Sequence, residues 1–391
     1  MYREIYLDNS ATTRPYDEVT ELMGSIQRNV YGNPSSLHSK GIEAERKISA
    51  AREAVAKSLG TEAKQIFFTS GGTEANNFAI RGCLDANPRK GKHIITTKIE
   101  HPSVLEVFKH LESTGYKADY LDVGRDGRIR LEELREKITK ETALISIISV
   151  NNETGAIQPV MEAVQVKNSI NPQAVFHTDA VQAYGKIPLN PSKSGIDLMT
   201  VSSHKIHGPK GVGALYASKA VRLKPILFGG GQEALLRSGT ENVPGICGFG
   251  LAAEMTLKNL EANAQKTSHL KKAFIEKLSA CDFRYAVISP DESSPFIVNI
   301  SFEGLKAEVL LHHLEERGIY VSTGSACSSR KNIRSHVLQA MGLAASSIDS
   351  AIRFSFSGFN TPADIDETVQ ALQDIVPRIQ INKKRPEGSR R

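Results

Sequence analysis

The chain has 391 residues, 40% apolar and 24% charged, the proportions of an ordinary globular protein, and it is longer than one hydrophobic core usually organises. Its formal net charge is +6, but residues 382–391 hold five basic residues against Glu387 alone, so the body is nearly balanced and its charge does not support a nucleic-acid-binding face. The four cysteines (Cys83, Cys247, Cys281 and Cys327) are far apart and show neither a disulfide framework nor paired metal spacing, and no apolar run reaches signal-peptide or bilayer length. The expectation is a reduced, cytoplasmic protein with no membrane partner, no catalytic metal and a disordered basic tail.

Taken in chain order, Ile5–Leu7 is a short apolar stretch followed by Asp8-Asn9-Ser10-Ala11-Thr12-Thr13. A turn-rich segment, Tyr31-Gly32-Asn33-Pro34-Ser35-Ser36, comes next. Ala44, Ile48, Ala51, Val55 and Leu59 recur at spacings of three and four and predict a helix, with Gly60 as its stop. Gln65–Ser70 reads as a strand running into Gly71-Gly72-Thr73, with a helix beginning at Glu74. Strand, glycine turn and helix N-terminus make an anion site, because free backbone N–H groups point outward and glycine lets a phosphate approach.

His93–Thr97 is another strand, ending near Glu100-His101-Pro102-Ser103, where Ser103 is placed to cap a helix over Val104–Leu111. Leu131, Leu134 and Ile138 mark a further helix. Leu144–Val150 is a continuous apolar run, as expected of a strand buried on both faces, and it ends at Asn151-Asn152-Glu153. Ala174–Thr178 ends at Asp179-Ala180-Val181-Gln182, Leu198–Val201 at Ser202-Ser203-His204-Lys205, and Gly213–Ala217 follows. Alternating strands and helices predict an α/β fold with a mostly parallel central sheet. Ligands of such sheets gather at the carboxyl ends of the strands, so Thr73, His101, Asn152, Asp179, Gln182, His204 and Lys205 are predicted to converge.

Each of these residues has a structural explanation when taken singly: an N-cap for Asp179, a turn for Asn152, a satisfied core histidine for His101. Together they describe a binding site. A lysine at the mouth of a buried strand is placed to lose its charge and to form a Schiff base with a carbonyl. A Schiff-base lysine beside a phosphate cradle points to pyridoxal 5′-phosphate. Lys205 would meet its aldehyde, and Gly72, Thr73, Ser202 and His204 its phosphate. Asp179 would meet its ring nitrogen, and His101 would offer an aromatic face.

With these motifs in view, the chain resembles the cysteine desulfurases, in the fold-type-I pyridoxal-phosphate group that also holds the class V aminotransferases. The resemblance is carried by Tyr6–Thr13, Gly32–Ser36, Thr69–Glu74, Glu100-His101, Asn151–Gly155, His177–Gln182, Ser202–Lys205 and Ser322–Ser329, and it runs in order from about residue 5 to about residue 375. It implies that Lys205 holds the cofactor and moves the substrate Cα proton, and that His101 stacks on the ring and assists proton transfer. Asp179 is implied to pair with the ring nitrogen, Gln182 and Asn152 to contact the ring oxygen or the substrate, and Thr73, Ser202 and His204 to bind phosphate. Thr240 is implied to reach the phosphate of a partner subunit, which means a homodimer with shared sites. Asn33 and Arg353 are similar to ligands of the substrate carboxylate, and a guanidinium suits that task.

Beyond about residue 256 the pattern changes. Val298–Phe302 and Ile319–Val321 read as strands, Val309, Leu310 and Leu314 as a helix stopped by Gly318, and Thr361, Pro362 and Asp364 as the start of a final helix. Between them Ser322–Ser329 places small residues around Cys327, followed by Arg330, Lys331 and Arg334, and nearby cations favour the thiolate. The other three cysteines read as buried and inert.

The expected organisation is a large cofactor domain over residues 15–255, a smaller α+β domain made of residues 1–14 and 256–380, and a tail over residues 381–391. The loop is similar to that of the mobile-loop subgroup. The implied reaction takes L-cysteine to L-alanine, leaves a persulfide on Cys327, and passes the sulfur to an acceptor protein for iron–sulfur cluster assembly or tRNA thiolation, with no direct nucleic-acid contact. A related pyridoxal-phosphate aminotransferase or a selenocysteine lyase is the alternative. Neither needs Cys327. A non-enzymatic scaffold would be expected to lack some of Lys205, Asp179 and Arg353, all of which are present.

Overall fold

The computed structural model describes residues 3–323 and 334–381; Cys327, Arg330, Lys331 and the basic tail lie outside the described residues. The described strands are β1 (Ile5–Tyr6), β2 (Ile66–Thr69), β3 (His93–Thr97), β4 (Lys117–Leu121), β5 (Thr142–Ser146), β6 (Val175–Asp179), β7 (Leu198–Ser202), β8 (Gly213–Ala217), β9 (Tyr285–Val287), β10 (Ile297–Phe302), β11 (Ile319–Tyr320) and β12 (Ala351–Ser355). Seven of them form the central sheet in the order β2-β8-β7-β6-β5-β3-β4. The ladders from β4 through β7 are parallel, while β8 runs antiparallel to both β7 and β2. Residues 203–212, which join β7 to β8, are fewer than the roughly dozen that a parallel crossover needs, so the chain must turn straight back.

Alternate residues of the central strands feed two different cores. Ile145, Phe176, Met199 and Val201 pack on the face covered by helices Ser39–Ser58 and Val243–Lys258. Leu144, Val175 and Leu198 pack on the opposite face with Phe78, Val104 and Phe108. Burial on both faces is why these strands are continuous apolar runs. The strand expected over Leu144–Val150 is shorter, because regular pairing stops at Ser146. Beyond it Ile147 and Ser149 reach back to the carbonyls of His177 and Asp179, and Val150 bridges to Ile157.

The sequence signal for the end of the second helix holds: Gly60 follows it with φ 63°, a left-handed turn that glycine adopts without cost. The three strands β12-β10-β9 form an antiparallel sheet, and β1 pairs in parallel with β11. Phe274, Phe302, Phe354, Phe356 and Leu372 form the core against that sheet, and Ile5 and Leu7 join it. The N-terminal segment then leaves β1 and passes towards β7: the backbone N–H of Thr13 donates to the His204 carbonyl at 2.9 Å. Among the described residues no helix is long and apolar enough to cross a membrane.

Candidate active site

The carboxyl ends of β6 and β7, the turn after β2, the start of helix Pro102–Ser113 and the segment Ser10-Ala11 surround one cavity of about 350 Å³. Thr73, His101, Asn152, Asp179, Gln182, His204 and Lys205, the seven residues expected to converge, all line it, together with the candidate site residues Gly72, Ser202 and Arg353.

Lys205 closes a single 3₁₀ turn that begins where β7 ends, which projects its side chain over the sheet edge. Its Nζ donates to the Ser10 and Ala11 carbonyls, the latter at 2.8 Å. The two carbonyls hold the amine at the edge of the cavity. His204 beside it is kept neutral, its pKa lowered to about 3 by burial and then by Lys205, Lys210 and Lys186.

Asp179 ends β6 and is held at both oxygens. Asn76 Nδ2 donates to Oδ2 at 2.7 Å and the Val181 N–H to Oδ1 at 2.9 Å. Asn76 also donates to Ser103 Oγ at 2.8 Å, and Ser103 Oγ lies 2.8 Å from His101 Nδ1. Because the Ser103 N–H also donates to His101 Nδ1 at 3.1 Å, that nitrogen is an acceptor and the neutral ring carries its proton on Nε2. His101 is thus itself the N-cap of helix Pro102–Ser113, and Ser103, expected in that role, lies in the first turn. Pro102 at the first helical position shifts the cap one residue earlier than the serine suggests. Burial lowers the His101 pKa, Asp179 opposes this, and Lys205 and His336 add to it.

At the other end of the cavity Arg353, on β12 and almost wholly buried, donates from Nη2 to Asp8 Oδ1 at 2.7 Å and from Nη1 to the Asn152 carbonyl at 2.9 Å. Its Nε has no partner. Glu153 and His336 share this wall. Glu153 accepts from Ser335 Oγ at 2.5 Å, and His336 Nε2 donates to the Glu100 carbonyl at 2.9 Å.

The donor set suits a phosphorylated aromatic aldehyde. Ser202 Oγ is buried at the cavity with no partner. Gly72 leaves room at the cradle, where an added Cβ would stand 2.9 Å from Val181 Cγ2. An amine, a held carboxylate and an imidazole face the same space.

Two expected residues are elsewhere. Asn33 is exposed in its turn, where its Oδ1 accepts from the Ser35 N–H at 2.9 Å, as a local turn residue does. Thr240 lines a separate recess of about 120 Å³ beside Arg237 and Glu233. Cys83 and Cys247 are buried, with thiols pushed up to about 12 and about 11 by burial. Cys281, expected to be buried, is partly exposed and donates to the Lys277 carbonyl at 3.4 Å. Arg334, expected to act near Cys327, is held bidentately by Asp349 at 2.7 and 2.8 Å.

Sequence reasoning passed over Asn76 and Lys186, gave Ser103 a capping role only, and gave no role to Asp8, Glu100 or His336, although their contacts put them behind or in the site. Asn76 lies one helical turn beyond Thr73, a spacing that places both on the same face of that helix.

Residues 5–368 match the model of the aminotransferase class-V family. The chain is 45% identical to a cysteine desulfurase of Trichormus azollae, over 96% of this chain and 93% of that one. Among solved structures it is similar to a NifS-like protein, with a TM-score of 0.91, 39% identity and coverage of 96% of this chain and all of the other. It is also similar to SspA solved in complex with cysteine, with a TM-score of 0.81, 33% identity, and coverage of 91% of this chain and 100% of SspA.

Proposed function

Because this chain belongs to the aminotransferase class-V family, and within it to the cysteine desulfurases, we propose that its cavity holds pyridoxal 5′-phosphate and takes L-cysteine as substrate. The observation that carries the reading is the meeting of Lys205, Asp179, Ser202 and Arg353 around one cavity. When bound, the cofactor supplies an aldehyde for amines and a ring that withdraws electrons.

The residues then divide the work. Gly72, Thr73, Ser202 and His204 bind the phosphate, Ser202 through the hydroxyl that otherwise lacks a partner. Asp179, fixed by Asn76 and Val181, keeps the ring nitrogen protonated. His101 covers the ring face, and Gln182 and Asn152 meet its oxygen or the substrate. Lys205 is the amine that would hold the aldehyde, and it would take the Cα proton of L-cysteine and return a proton before product leaves. Arg353 binds the substrate carboxylate, with Asp8 holding the guanidinium in place.

Cys327 supplies the nucleophile. Its thiolate attacks the substrate sulfur, forming an S–S bond while the Cβ–S bond breaks and leaves its electron pair with the three-carbon remainder. That remainder takes up at Cβ the proton that the substrate thiol gives up, regains its Cα proton and is released as L-alanine; Cys327 is left as a persulfide for transfer to an iron–sulfur or tRNA-thiolating acceptor. The enzyme works as a cytoplasmic homodimer in which Thr240 serves the partner's phosphate. Residues 15–255 form its cofactor domain, and residues 1–14 with 256–380 its smaller domain.

The test is sulfide and alanine production from L-cysteine with a reductant, in wild type and in Cys327→Ala. Equal amounts from wild type and neither from the variant are expected. A variant that forms alanine at the wild-type rate would remove Cys327 from the mechanism and point to a lyase or transaminase.

A further inference from the structure

Lys186 is a buried cation that the reaction above does not use. It follows Gln182 by four residues in the turns after β6 and is 6% exposed. Its Nζ donates to Gln182 Oε1 at 2.9 Å and lies 5.7 Å from the centre of the Phe296 ring. Burial, then Lys205 and Arg353, lower its pKa to about 7. An ammonium placed near two other cations is expensive to bury, so its position calls for a function.

The contacts around Gln182 supply one. As an ammonium Lys186 can only donate, so the amide oxygen of Gln182 faces it. At its other end Gln182 Nε2 donates to the Ser10 carbonyl at 2.9 Å, and a carbonyl can only accept. Both ends therefore dictate the same orientation of the amide. Ser10 O is also one of the two acceptors that hold Lys205 Nζ. The amine and the amide donor converge on one carbonyl at the edge of the cavity.

We propose that Lys186 is a positioning residue that locks the Gln182 amide with its N–H groups towards the cavity, and so sets the donor that meets the bound cofactor's ring oxygen. The inference rests on the function proposed above. With Lys186 removed, the Ser10 carbonyl is the one contact of the two left to orient the amide, and its oxygen turns inward more often. An oxygen there repels the ring oxygen, where N–H groups would have stabilised its ionised form.

The test is a pH titration of the visible absorption band of the cofactor-loaded enzyme in wild type, Lys186→Met, Gln182→Leu and the double variant. In Lys186→Met the pKa of the Lys205–cofactor linkage is expected to shift by about half a unit or more, with kcat falling about tenfold and KM within about twofold. In the Gln182→Leu background, Lys186→Met should add little, because residues acting through one another are not additive. A wild-type titration in Lys186→Met, or full additivity in the double variant, overturns the proposal while leaving the desulfurase reading intact. Failure of the wild type to bind cofactor or consume L-cysteine would overturn the reading instead. If Lys186→Met does not fold, Lys186→Leu, which also lacks a donor, takes its place in the same cycle with the same outcomes.

Discussion

At the scale of single residues, burial decides the protonation of the groups behind the site. Glu100 is wholly buried. Its Oε1 accepts from Thr97 Oγ1 at 2.9 Å and from the Ile148 N–H at 2.7 Å, while Oε2 has no partner. Burial, with the charge of Asp179 added, pushes its carboxyl up to about 8, so the folded protein holds a proton there at neutral pH. The ordinary value of 4.5 applies to the unfolded chain. The folded state therefore binds the extra proton between those two values, and stability falls as pH rises from one to the other. The slope is up to about 1.4 kcal/mol per pH unit, with no contribution below the lower value. Glu100→Gln, nearly the same shape and never charged, removes that slope. Thermal or denaturant unfolding of both proteins between about pH 5 and pH 8 checks it. The wild type should lose stability relative to the variant as pH rises, and parallel curves would mean that Glu100 is ionised in the folded state.

At the scale of elements, the final helix shows how a short motif fixes the placement of a long segment. Thr361 N–H donates to Asp364 Oδ2 at 3.0 Å and the Asp364 N–H returns to Thr361 Oγ1 at 3.4 Å, a reciprocal cap on helix Pro362–Ile381. Asp364 also accepts from Asn360 at 3.2 Å and from Arg3 at 2.7 Å, which ties the N-terminal segment to the helix start. Thr361→Ala removes the hydroxyl's two bonds with Asp364 and should cost about 1 kcal/mol, whereas Asp364→Ala removes every contact of the carboxylate and should cost about 2 kcal/mol or more. Denaturant midpoints separate the two, and equal losses would show that the Asn360 and Arg3 contacts add nothing. This cap was legible in the sequence, as were the central strands, because apolar runs and capping residues act locally. The reversal of β8 was not, since a strand's direction depends on how its connection closes. Nor was His101 as a cap, since Ser103 is the commoner capping residue and only the placement of Pro102 decides between them. Lys186, Asn76 and Glu100 were illegible as site residues for a related reason: their meaning lies in partners about 100 or more residues away or in burial, and no periodicity records either.

At the scale of the whole molecule, the segment carrying Thr240 is built as a rigid arm that bypasses its own cavity. Glu233, Ala234 and Leu235 have φ of 47°, 57° and 67°, three consecutive left-handed residues without a glycine among them. Such strain persists only where the surroundings enforce it. Here Arg52 grips Glu233 bidentately at 2.6 and 2.8 Å, the Phe68 N–H donates to the same carboxylate, and Arg237 is paired with Glu74 at 2.8 Å. Phe228 and Leu235 on the arm are 84% and 73% exposed, large apolar surfaces of the kind that a second subunit covers. If Thr240 serves the partner's phosphate, each site needs Lys205 from one chain and Thr240 from the other. Lys205→Ala homodimers should then be inactive, and Thr240→Ala homodimers should need about tenfold more cofactor for half-occupancy, the loss expected of one hydrogen bond to a charged group. Mixing the two under exchange conditions creates dimers in which the subunit with intact Lys205 receives Thr240 from its partner. Those sites should recover wild-type cofactor affinity at half the number of subunits paired. If Thr240 acts within its own chain, no mixed dimer contains a complete site, and the mixture keeps the weak affinity of Thr240→Ala.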